Sequence, residues 1–395
     1  MNKTKITLFI LSFILMGTYA CKDDSEIIGK PLGNTYQAIK TKFGTKIDLE
    51  NLANYATQNI PSYITKDNTA NNDITDKGAT LGRVLFYDKM LSVDNTIACA
   101  SCHKQDLAFG DSPAASKGIN GTTSRHSMRL INTRFAEEEK FFWDKRAANL
   151  ELQSSQPIQD HIEMGYSGEN GDPSLTDLIA KLSTEDYYRE FFEYVYGDES
   201  ITEERIQNAL AQFIRSIQSF DSKFDKGRAT APSDRANFDN FTDDENAGKL
   251  LFLAPTKFSS DGVRTAGGAN CGSCHRAPEF DIDPISRNNG TTGVIGGGTD
   301  LTVIRSPSLR DIVNQAGNVN GLLMHNGRFG ALQGVIAHYN NIPSNNDNLD
   351  NRLRPGDNLQ NLNLSATEKS QIVEFLKTLT GRDVYTNQKW SNPFE

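Results

Sequence analysis

The sequence predicts a mainly α chain made of two small modules in tandem, with long irregular loops between and after its helices. Three observations predict it. The pattern C-x-x-C-H occurs twice, at Cys99-Ala100-Ser101-Cys102-His103 and at Cys271-Gly272-Ser273-Cys274-His275. Each copy follows a G-(K/R)-x-L-F stretch, Gly82-Arg83-Val84-Leu85-Phe86 before the first and Gly248-Lys249-Leu250-Leu251-Phe252 before the second, so one unit is present twice. Where apolar residues recur they keep helical spacing, and strand signals are weak throughout.

Taken in order, the chain opens with Lys3 and Lys5 ahead of an apolar run from Ile6 to Met16, too short to span a membrane. Thr18-Tyr19-Ala20-Cys21 follows, with small residues three and one positions before the cysteine. This predicts a signal peptide at 1–20 and export of the mature chain. Cys21 resembles the lipid-accepting cysteine of a bacterial lipoprotein, which puts the protein in the periplasm or at the cell surface on a lipid anchor. The polar, Asn-rich stretch at 21–76 reads as a tether with a lead-in helix at Ile47 to Ala56. A first module at 77–227 then opens on an amphipathic helix. Ile206, Ala209, Leu210, Phe213, Ile214 and Ile217 form one helical face behind a Thr202 cap. The polar stretch Asp221 to Asp239 reads as the boundary to a second module at 228–395. That module opens on a Thr242/Glu245 capping box, continues after its C-x-x-C-H into a Gly/Asn-rich loop at Arg287 to Asp300, and ends on a helix from Ser365 to Gly381.

C-x-x-C-H is the attachment pattern of c-type haem. Two thiols three residues apart lie about one helical turn apart, so both can bond the vinyl groups of one porphyrin while the next residue, histidine, reaches the iron. The five cysteines are Cys21 and the four of these motifs, so no structural disulfide is expected. A zinc site would need further ligands, and no other Cys is nearby. A thiol redox pair would need a βαβ context that neither flank has. The sequence thus predicts two covalently bound haem c groups in cytochrome c-like modules, held by Cys99 and Cys102, and by Cys271 and Cys274, with His103 and His275 as iron ligands. Length and composition allow two cores in 395 residues. A net charge of −9 argues against nucleic acid and fits a basic redox partner.

What faces each iron on its other side decides between catalyst and electron carrier. His126, His161, His325, His338, Met128, Met164 and Met324 are available, and pattern alone does not choose among them.

The stretches Phe141-Phe142-Trp143-Asp144-Lys145-Arg146-Ala147, Leu150-Glu151-Leu152-Gln153, Pro157-Ile158 and Glu163-Met164 resemble bacterial di-haem cytochrome c peroxidases and their MauG relatives. So do Leu81-Gly82 through Leu91-Ser92, Arg305-Ser306-Pro307-Ser308-Leu309-Arg310 and His325-Asn326-Gly327-Arg328-Phe329, in family order from about Lys77 to Gly381. The resemblance implies that the first haem reduces peroxide and the second relays electrons. It puts the catalytic Gln and Glu on Gln153 and Glu163, and the Trp between the haems on Trp143. A carboxyl group can shuttle the proton that peroxide cleavage moves, and Gln153 can bond the oxygens without titrating.

Two departures from the family change the expectation. The His that blocks the resting first haem in many of these peroxidases would fall at Gly118, in the loop Lys117 to Thr123, which holds no His; the first haem is expected to be open, with His126 the alternative ligand. The methionine ligand of the second haem falls on Tyr339, as in MauG, with His338 and Met324 behind it. The family's calcium is in doubt, because its Asn ligand falls on His126 and the segment Asn320 to Leu322 differs. The expected function is reduction of hydrogen peroxide with electrons from cytochrome c or another small redox protein. The alternatives are a MauG-like oxidase acting on a partner protein and a di-haem electron-transfer protein without turnover.

Overall fold

Two glycines set the architecture. In a computed structural model, which describes residues 35–395, a β-carbon on Gly82 would stand 1.9 Å from the backbone oxygen of Ala209. One on Gly248 would stand 1.9 Å from the backbone oxygen of Gln371. At both places only glycine lets two helix backbones touch. Beside each glycine one aromatic pair closes the contact: Phe86 on Phe213 at 5.1 Å, and Phe252 on Phe375 at 5.3 Å between ring centroids. The repeated G-(K/R)-x-L-F stretch is therefore one packing device used twice. Each of these fully buried phenylalanines is worth about 1.5–3 kcal/mol of transfer free energy.

Among the described residues the helices are α1 (Gln37–Phe43), α2 (Asp76–Tyr87), α3 (Cys99–Cys102), α4 (Leu150–Ser155), α5 (Leu175–Ser183), α6 (Asp186–Tyr196), α7 (Glu203–Ser216), α8 (Lys223–Arg228), α9 (Asp243–Leu253), α10 (Leu332–Asn340) and α11 (Ala366–Lys377). Helix α2 packs on α7 in the first module and α9 on α11 in the second. Thr202, Thr242 and Ser365 cap their helices as expected, each accepting a hydrogen bond from the first turn, and Thr75 does the same for α2. Strand content among the described residues is two short antiparallel pairs, β1 (Thr256–Phe258) with β2 (Arg264–Gly267), and β3 (His275–Arg276) with β4 (Asp281–Ile282). The second core gathers Phe224, Phe238, Phe252, Phe280, Phe375 and Leu379.

Four expectations change. The lead-in helix is α1 at Gln37–Phe43, not residues 47–56; Ile47, Leu49 and Tyr55 instead run as buried turns, so the chain is packed from Tyr36 onward. The polar stretch 221–239 holds α8, because Ser222 and Asp225 form a capping box and Phe224 enters the second core. The last helix stops at Lys377. The final residues, expected with the second module, lie against the first. Tyr87 donates to the oxygen of Trp390 (2.7 Å), Arg83 to that of Ser391 (2.6 Å), and the Trp390 indole reaches Ser216. This strap joins both modules into one unit, Tyr36–Glu395. The signal peptide, Cys21 and the first part of the tether lie outside the described residues.

Candidate active site: two cavities and the wall between them

The first cavity has about 640 Å³ of open space, its mouth included, and is lined by Phe86, Cys99, Cys102, His103, Gln153 and Glu163 among others. Local backbone geometry aims His103. Ala108 and Phe109 both hold positive φ (53° and 59°), which folds the chain back so that the His103 Nδ1 faces the Phe109 oxygen at 3.1 Å. That contact commits Nδ1 and leaves Nε2 as the free ring nitrogen. Burial lowers the His103 pKa, which keeps the ring neutral with a lone pair to give.

Gln153 is carried by α4. Asn149 caps this helix by accepting from Leu152 N at 2.9 Å, and Glu151 pins it to α7 through both oxygens on Arg215. Glu163 is held by its backbone. Asp160 Oδ1 accepts from the amides of Ile162 and Glu163 at 2.8 and 3.0 Å, while Ile119 N and Asn120 N donate to the oxygens of Glu163 and Ile162. The loop that the sequence showed to lack a histidine is therefore docked on the backbone of Glu163. Burial, helped by the charge of Asp160, pushes the Glu163 carboxyl up to about 7. A carboxyl balanced near neutrality can both take and give a proton.

The second cavity, about 1560 Å³ with its mouth, is lined by Cys271, Cys274, His275, Met324, His325 and Tyr339. The Tyr339 hydroxyl accepts from Asn289 Nδ2 at 2.9 Å. His338, the runner-up ligand, turns away: its Nε2 faces the Asn289 oxygen at 2.8 Å, and it does not line the cavity. Burial pushes His275 down to about 4 and drives the phenol of Tyr339 up.

These residues fit haem. The Cys99 and Cys271 thiols are pushed up to about 12 by burial, the reverse of what a thiol redox pair needs. Among the described residues no group of three or more His, Cys, Asp and Glu side chains is arranged to hold a metal ion directly, as zinc would require. The second cavity is lined by Arg129, Arg305 and Ser306, and the Nε atoms of the two arginines and the Ser306 hydroxyl are buried without a hydrogen-bond partner. Unpaired buried donors are costly, and the two carboxylates of a haem would satisfy donors of this kind.

The wall between the cavities differs from expectation in detail. Trp143 lines the second cavity only; its indole donates to the His126 oxygen at 2.8 Å and its ring lies 6.2 Å from that of His325. His126 also lines the second cavity rather than the first, with Nδ1 on the Pro113 oxygen at 2.9 Å. Ser127 lines both cavities and bonds Ser116 at 2.7 Å, which in turn donates to buried Asp111 at 2.6 Å. Nothing in the sequence singled out Ser127. His161 is exposed and paired with Asp172 at 2.7 Å.

Comparisons with known proteins agree with this arrangement. Residues 76–231 match a family described as di-haem cytochrome c peroxidase. The methylamine utilization protein MauG of Methylophilus methylotrophus is 29% identical over 321 residues, covering 78% of this chain and 84% of that one. The cytochrome c551 peroxidase of Nitrosomonas europaea is 28% identical over 323 residues, covering 77% and 80%. Among solved structures, a MauG-like protein associated with microbial copper homeostasis aligns with a TM-score of 0.64 at 26% identity, over 86% of this chain and 99% of that one.

Proposed function

The chain belongs to the family of di-haem cytochrome c peroxidases and MauG proteins, and on that premise we propose that it reduces hydrogen peroxide to water at the first site, with electrons from a small redox protein such as cytochrome c. The observation that carries this reading is the docking of the Gly118 loop on the backbone of Glu163: the loop brings Lys117 and Thr123 to the cavity wall but no histidine to bind the iron. Haem attached through Cys99 and Cys102 supplies the iron at which peroxide is bound and reduced.

The residues divide the remaining work. Hydrogen peroxide takes two electrons and two protons to give two waters. Glu163 accepts the proton of the bound peroxide and returns it to the departing oxygen, which its pKa near 7 suits in both directions. Gln153, held by α4, hydrogen-bonds the peroxide oxygens without titrating. Trp143 and Ser127 line the path for electrons from the second site. Substituting Glu163→Gln is expected to keep both haem spectra and lower turnover by about 10²–10⁴-fold; an unchanged rate overturns the role.

One observation favours a second reading. Tyr339 lines the second cavity with Asn289 donating to its oxygen, a contact that favours the phenolate against the burial that opposes it; bound to iron, that phenolate would favour the oxidised metal. In that reading the electrons come from a residue of a partner protein, as a MauG-like oxidase would take them. Fast consumption of peroxide with reduced cytochrome c supports the peroxidase; oxidising equivalents that persist without any donor support the oxidase. We also infer that the chain is exported and lipid-anchored at Cys21. Loss of labelled fatty acid in Cys21→Ala is the corresponding test.

A further inference from the structure

A buried pair of tyrosines shares one carboxylate oxygen in the first module, outside both cavities. Tyr187 and Tyr188 donate to Asp88 Oδ2 at 2.9 and 2.8 Å, and their rings lie 4.6 Å apart. Tyr188 is 0% exposed, Tyr187 4% and Asp88 6%. The Tyr187 hydroxyl also lies 3.4 Å from the Met90 sulfur. No salt bridge reaches Asp88 among the described residues; its Oδ1 accepts from Met90 N at 2.8 Å, Lys181 acts on its charge at longer range, and the two phenols hold Oδ2. Phe43 and Phe191 close the surroundings against water.

The cluster is close to the first site. Asp88 follows Phe86 by two residues, and the Phe86 ring lines the first cavity and lies 6.5 Å from the His103 ring. Two residues of chain span about 7 Å at most.

We propose that Tyr188, with Asp88 as proton acceptor, is a redox site that gives up one electron to the first site when peroxide has oxidised it and no donor has arrived. This rests on the reading of the first site as peroxide-reducing. The balance is one electron from the Tyr188 phenol to the first site, one proton from its hydroxyl to Asp88 Oδ2, and a neutral tyrosyl radical left on the ring. The donor's next electron reverses it, and Asp88 returns the proton.

The hydrogen-bond pattern selects this tyrosine. Tyr55, Tyr87, Tyr194 and Tyr196 donate to backbone oxygens, which cannot take up a proton. Tyr63 reaches Asp225, but Arg310 already pairs with that carboxylate at 2.9 Å. Tyr385 reaches Asp311, on the side of Arg129 and the second cavity. Within the pair, the Lys42 ammonium lies 5.1 Å from the Tyr187 ring centroid, which disfavours removing electron density from that ring. Burial and the charge of Asp88 keep both phenols protonated at rest, so oxidation has to carry the proton along.

The test is electron paramagnetic resonance of the oxidised, haem-loaded, full-length protein frozen after one equivalent of peroxide without donor. A tyrosyl signal is expected, with its hyperfine structure collapsed by ring-deuterated tyrosine. It should fall at least fivefold in Tyr188→Phe and in Asp88→Asn, and stay unchanged in Tyr87→Phe. Haem absorbance of each variant reports folding, and Tyr188→Phe removes only a hydroxyl. A signal of equal yield in Tyr188→Phe overturns the proposal. So does loss of the first-site ferric signal with no tyrosyl signal. A ferric signal that ignores peroxide overturns the reading of the first site, and this proposal with it.

Discussion

Gly118 and Ile162 lie so close that a β-carbon on Gly118 would stand 2.0 Å from the Ile162 backbone oxygen and 2.8 Å from the Glu163 Cα. The missing histidine is thus a matter of space as well as of identity. No side chain of any kind fits at 118 while the loop stays docked, and that docking holds Glu163 in the cavity wall.

Gly118→Ala is therefore expected to push the loop off the 162–163 backbone. Stability should fall by about 1–3 kcal/mol by denaturant titration, and peroxide turnover should fall with it, because Glu163 moves. Wild-type values of both would show that the loop adapts at no cost.

The pH profile should report Glu163. Its carboxyl is raised to about 7 by burial, and the reaction begins with the charged form taking a proton from peroxide. The kcat/KM for peroxide should be level above pH 7 and fall about tenfold per unit below it. Glu163→Gln should abolish that limb. A wild-type profile that is flat between pH 5 and 8 would contradict the assignment.

Tyr339→Phe should open the second site and turn its ferric signal from low to high spin, since the phenol oxygen that Asn289 holds is gone. His338→Gln should leave the signal as it is, because that ring faces the Asn289 oxygen instead. The reverse pattern would make His338 the ligand.

Gly82→Ala and Gly248→Ala should each destabilise the protein by about 1–3 kcal/mol or prevent folding, because the new β-carbon would stand 1.9 Å from a backbone oxygen of the facing helix and force the pair apart. Thermal unfolding of the two variants checks whether the modules share this device. A cost at one glycine and none at the other would deny it.

Sequence alone determined whatever depends on neighbours along the chain. The spacing of thiols and histidine in Cys99–His103 and Cys271–His275, the helical face of α7, and the caps at Thr202, Thr242 and Ser365 are local, so their pattern is complete within a few residues. The repeat around Gly82 and Gly248 was visible too, although the reason for its glycines was not, since their partners Ala209 and Gln371 lie more than 100 residues away. The stretch 221–239 holds a helix the sequence did not show, because a polar stretch can still bury one residue, here Phe224, when a distant core needs it. Tertiary structure alone decided which side chains share a cavity. His126 went to the second and not the first, His338 turned to a backbone oxygen beside Tyr339, and Ser127 stood against both. It also brought the last residues of the chain back onto α2 and α7, where Trp390 is buried. A cavity is made by segments that meet in space, and close packing assigns each side chain there to the one volume it fits.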